Sequence, residues 1–116
     1  MPDDKIKLLI DEILDRRVLK RAVFSKIQDK DILRVTAAPV QMPDGSVALR
    51  VERFTRDNKA YQENRPYGRA DCADCADCAD CADCADLLYK LARSARQVNI
   101  FTTAGDLELL RSKSDN

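Results

Sequence analysis

Five cysteines, Cys72, Cys75, Cys78, Cys81 and Cys84, recur at every third position of an Ala-Asp-Cys run over residues 70–86. C-x2-C is the spacing of zinc knuckles, and repeated steps of it hold iron–sulfur clusters, so metal binding is the first chemistry to weigh. Several features oppose it. A knuckle needs a turn, usually with glycine, and Ala-Asp between cysteines supplies none. Zinc sites pair two separated C-x2-C units, whereas this is one unbroken run. The six aspartates of the run would crowd negative charge around thiolates that are already anionic. On an α-helix a three-residue step turns about 300°, so the cysteines drift around the cylinder and no face collects them. A 3₁₀-helix would align them, but such helices rarely persist beyond about 3–4 residues. The run therefore reads as a tandem duplication inserted at the start of a helix, with a metal-binding repeat as the lesser alternative, and no cofactor is expected in this chain.

Nucleophilic and acid–base chemistry fare no better. The chain contains no histidine, which removes the commonest general base and the Ser-His and Cys-His pairs. The hydroxyls of Ser25, Thr102 and Thr103 have no neighbouring base to activate them. Gly45, Gly68 and Gly105 are isolated, so no glycine-rich loop cradles a phosphate or dinucleotide. No catalytic residue is identified. What remains is charge. Outside the cysteine run, 20 basic residues stand against 14 acidic ones, a surplus that the six aspartates cancel. Arg16, Arg17, Lys20, Arg21, Lys26, Lys30 and Arg34 cluster against Asp15, Asp29 and Asp31, and Arg50 lies in a second basic stretch. This is the footprint of a nucleic-acid partner or of an ordinary solvated surface. Phe54, Tyr61 and Tyr67 are the nearby aromatics that could stack bases.

These residues must be positioned by a small domain, since 116 residues make one compact unit with a modest core. Ile6, Leu9, Ile10 and Ile13, continued by Leu14 and Val18, predict a helix from Asp3 to about Arg21, opened by acids and closed by bases. Residues 22–31 read as a connector. Alternation predicts strands over 32–40 and 46–56, joined by a Met42-Pro43-Asp44-Gly45 turn. One face of that hairpin carries Arg34 and Arg50 toward solvent or a partner. Residues 57–69 read as a loop. A second helix is predicted from about Asp83, with Cys84, Leu87, Leu88, Leu91 and Ala95 as its stripe. Strands over 98–102 and 107–111 follow, joined at residues 104–106. The expected fold is α+β: order α-β-β-α-β-β, a four-stranded antiparallel sheet with both helices on one face. No stretch approaches the roughly 20 apolar residues of a membrane span, and Met1-Pro2-Asp3-Asp4 opens no secretory signal, so a cytoplasmic location without a membrane partner is expected.

Several segments carry a family resemblance: Ala22-Val23-Phe24-Ser25-Lys26, Arg34-Val35-Thr36 with Pro39-Val40, Arg53-Phe54-Thr55, and the run from Arg96-Gln97-Val98-Asn99-Ile100 through Phe101-Thr102-Thr103-Ala104-Gly105-Asp106. The chain resembles the N-terminal region of bacterial two-domain proteins whose C-terminal half is a Rossmann-like S-adenosylmethionine-dependent methyltransferase. The resemblance implies a non-catalytic accessory domain that helps recognise substrate. Similar catalytic domains are associated with RNA methylation, which makes RNA or a ribonucleoprotein the expected partner. S-adenosylmethionine is expected only for a C-terminal domain absent from this sequence, because the cofactor's glycine motif is missing. The alternative is a protein-interaction module that docks on a separate methyltransferase catalytic domain.

Overall fold

The computed structural model describes residues 3–67 and 83–110. The first helix, α1 (Asp3–Asp15), buries Ile6, Ile10 and Ile13, one residue from each successive turn. It ends earlier than the apolar stripe predicts. Val18 N–H donates to Ile13 O and Arg17 N–H to Leu14 O, a Schellman closure in which Arg17, at φ 54°, takes the left-handed position usual for glycine. Lys20 and Arg21 therefore belong to a strand and not to the helix.

Among the described residues six strands follow the expected class but correct the expected count. They are β1 (Leu19–Ile27), β2 (Ile32–Gln41), β3 (Val47–Thr55), β4 (Ala60–Pro66), β5 (Ala95–Thr102) and β6 (Gly105–Leu110), with α2 (Asp83–Ser94) between β4 and β5. They form one antiparallel sheet in the order β4-β3-β2-β1-β5-β6. The four-stranded α-β-β-α-β-β arrangement is thus replaced by α-β-β-β-β-α-β-β. Two segments account for the difference. Residues 22–31, read as a connector, contain most of β1, which pairs with β2 on one side and β5 on the other. Residues 57–69, read as a loop, contain the edge strand β4, whose register sets Arg53 opposite Tyr61 and Arg50 opposite Asn64.

The turns explain the hairpins. Between β2 and β3, Gly45 N–H donates to Met42 O at 2.9 Å, and Gly45 sits at φ 89°, open to glycine at no steric cost. Asp44 clamps this turn by accepting from the Ser46 backbone N–H at 2.9 Å and the Ser46 hydroxyl at 2.6 Å. Between β3 and β4, Asn58 at φ 66° donates through its N–H to Thr55 O, and Thr55 N–H donates to Lys59 O.

One core lies between the helices and one sheet face. Phe24, Val35, Ala37, Leu49, Val51, Val98 and Ile100 meet Ile6, Ile10 and Ile13 of α1 and Cys84, Leu88 and Ala92 of α2. Both helices therefore cover the same face, as expected. Ala95 is buried too, but as the first residue of β5 and not as the end of the helical stripe. No helix among the described residues is long and apolar enough to cross a membrane.

Candidate nucleic-acid interface

Side chains alternate along a strand, so every strand that feeds the core presents its other residues to the opposite face. That face has no helix over it among the described residues. β1 offers Arg21, Val23 and Ser25; β2 offers Arg34, Thr36, Ala38 and Val40; β3 offers Arg50, Glu52 and Phe54; and β5 offers Gln97, Asn99 and Phe101. Pairing brings these into rows. Arg34 stands opposite both Ser25 and Phe54, Thr36 opposite Val23 and Glu52, and Ala38 opposite Arg50. The result is an open concavity of about 540 Å³ with a small, mostly uncharged floor and arginines around it.

Three of the eight basic residues singled out from sequence converge here: Arg21, Arg34 and Arg50. None of the three has a carboxylate within ion-pairing distance among the described residues. Arg50 Nε donates to the neutral Asn64 side chain at 3.2 Å, which orients the guanidinium without cancelling its charge. Glu52 is the one acid lining the concavity. Two arginines lie over aromatic rings. The Arg34 guanidinium sits 4.3 Å from the Phe54 centroid, and that of Arg21 sits 5.2 Å from the Phe101 centroid. Such cation–π contacts hold a guanidinium at a defined place while leaving its N–H groups able to donate.

The other five basic residues lie elsewhere. Arg16 follows α1, pairs with Glu12 at 3.6 Å, and borders a separate hollow of about 260 Å³ between α1 and the β5–β6 hairpin. Arg17 stacks on the Tyr67 ring at 5.0 Å. Lys20, Lys26 and Lys30 are exposed at the start of β1, near its end and in the turn after it. The aromatics are also redistributed. Phe54 is on the open face, Tyr67 is buried, and Tyr61 stands opposite Arg53, on the helix side of the sheet. Phe101 was missed. Its signal was the alternation of Asn99 and Phe101 against Val98 and Ile100, which already fixes its face within the strand predicted over 98–102.

The remaining candidates are structural where they are described. Cys84 is buried, and its thiol donates to Pro66 O at 3.0 Å. Cys72, Cys75, Cys78 and Cys81 lie outside the described residues, and among those described no three His, Cys, Asp or Glu side chains gather as a metal would require. Thr102 Oγ1 donates to Gly105 O at 2.6 Å and accepts from Ala104 N–H at 3.1 Å, a turn residue of the last hairpin. Comparison with family models, curated proteins and solved structures finds no match to this chain.

Proposed function

We propose that the chain is a non-catalytic accessory domain that binds RNA on its open sheet face, as the substrate-recognition part of an S-adenosylmethionine-dependent methyltransferase-like protein. One observation carries the binding reading: Arg21, Arg34 and Arg50 ring a concave sheet face without a carboxylate partner. An uncompensated cluster of this kind is stabilised by a polyanion, whose condensed counterions are released on binding. The assignment to a methyltransferase-like protein rests on the sequence resemblance alone. Its direct test is the coding sequence beyond Asn116, which should encode a glycine-rich strand–turn–helix segment.

The binding reading is tested by fluorescence anisotropy with a labelled RNA that contains both a stem and a loop, over a series of salt concentrations. Three arginine–phosphate contacts should give a log–log salt slope of about −2. Arg34→Glu with Arg50→Glu should flatten that slope and weaken binding by at least roughly tenfold, whereas Lys90→Ala on α2 should change neither. A flat salt dependence, or equal loss from Lys90→Ala, would overturn the reading.

The protein-interaction alternative draws on a different observation. β6 is an outer strand that carries Leu107 and Leu110, 37% and 67% exposed, and edge strands of this kind pair readily with other chains. Absence of RNA binding together with a complex formed with a methyltransferase domain supplied in trans, lost in Leu110→Asp, would favour it.

A further inference from the structure

We infer that Phe54 and Phe101 are stacking platforms for two unpaired bases, so that the open face takes single-stranded RNA and not a duplex. The inference rests on the RNA-binding reading and narrows it to one substrate class. Both rings belong to the open face, and each is covered by a guanidinium from a neighbouring strand, Arg34 over Phe54 and Arg21 over Phe101. Register places them apart. Phe54 is level with Arg34, Ser25 and Gln97, while Phe101 stands four residues further along β5. Three strand spacings across and four residues along put the two rings on the order of 20 Å from each other. The floor between them is built from Val23, Ser25, Thr36 and Asn99, none of them a large side chain.

An arginine stacked on a surface phenylalanine shields an apolar ring from water and keeps a permanent charge beside it. An unpaired base can do the first task better, because it offers a larger π-face. As a base takes the ring, the displaced guanidinium remains charged and within reach of the phosphate that follows, where it makes a charge-assisted contact. Each Arg–Phe pair thus holds both parts required by one nucleotide, a platform and a phosphate clamp. Duplex RNA cannot use them, since its base faces are already occupied within the stack and only phosphates and 2′-hydroxyls meet the protein.

The chain has no tryptophan, so Phe54→Trp and Phe101→Trp each introduce a single indole into it. Titration with an oligouridylate of about ten nucleotides should quench the emission of both variants, and an RNA hairpin stem of similar charge should quench neither. Phe54→Leu and Phe101→Leu keep apolar bulk, with folding checked by circular dichroism. Each should weaken oligouridylate binding roughly tenfold, and the two effects should add because the sites are far apart. If RNA binds through the arginines while both indoles stay unquenched and the leucine variants bind normally, the stacking inference is wrong and the RNA reading stands. Equal quenching by the stem would overturn the preference for single strands. If the unmodified chain binds no RNA, both readings fall together.

Discussion

At the scale of single residues, the same side-chain types do different work according to the strand face on which they fall. Arg53 and Arg65 share Glu63, at 3.5 and 2.8 Å, on the helix side of the sheet; the Arg53 pair joins β3 to the edge strand β4, and the Arg65 pair lies within β4. Arg34 and Arg50, one pleat away in phase, have no such acid among the described residues. Asp44 is another residue whose role is set by local hydrogen bonds. The Ser46 hydroxyl and then the Ser46 backbone N–H favour its ionised form and hold its carboxyl below the ordinary value of 3.8. A depressed folded value means that the clamp stabilises the fold above the ordinary carboxylate range. That stabilisation is lost as the pH falls through the depressed value. Thermal melts of the parent chain and Asp44→Asn should therefore differ near neutral pH, with the parent more stable, and converge at a pH well below the ordinary carboxylate range. A gap that stayed constant down to that pH would mean that the carboxylate charge contributes nothing to the turn.

At the scale of elements, how much could be read from the sequence depended on how each segment begins and ends. The β2–β3 hairpin was legible because alternation and Pro43-Asp44-Gly45 agree on both its strands and its turn. β1 was not, because Ala22, Val23 and Phe24 are apolar in succession and show no alternation, while the helix before them stops without glycine or proline. Arg17 supplies that stop in a left-handed conformation that composition does not announce. β4 was hidden for the opposite reason: Ala60–Pro66 contains almost no apolar residue, since an edge strand held by Glu63 and Asn64 needs little burial. The candidate site was legible in part for the same causes. Arg34 and Arg50 followed from the hairpin, whereas the place of Arg21 and Phe101 depended on recognising β1 beside β5. The sequence stripe matches α2 from Cys84 through Leu91, whereas its last member, Ala95, begins β5. The buried face of α2 runs Cys84, Leu88, Ala92, and the Cys84 thiol ties the helix to the end of β4 through Pro66 O. Cys84→Ala should consequently lower stability by about 1–2 kcal/mol in chemical denaturation, through a small cavity and a freed carbonyl. In the native protein Cys84 should also resist iodoacetamide, read by peptide fragmentation, and become reactive in denaturant. Rapid native alkylation together with an unchanged midpoint would show that α2 does not pack through this residue.

At the scale of the whole molecule, the balance of charge separates the sheet domain from the Ala-Asp-Cys run. The formal net charge is zero only because six aspartates of that run offset the basic surplus elsewhere. Among the described residues the buried face of α2 starts at Cys84 and continues through Leu88 and Ala92. Removing Cys72 through Asp83 takes out four complete repeats and leaves Ala70-Asp71 joined to Cys84, so the helix keeps the same Ala-Asp start. The fold should survive this deletion with its melting temperature nearly unchanged, and a chelator should not lower the stability of the parent chain. The net charge rises by four as four aspartates leave. Affinity for RNA should then increase a few-fold at about 0.01 M salt, where charges act over about 30 Å, and this gain should largely disappear near 0.15 M, where they act over about 8 Å. A different outcome would count against the duplication reading. Stoichiometric zinc or an iron–sulfur chromophore in the parent, lost in the deletion together with much of its thermal stability, would make the repeat a metal site on which the domain depends.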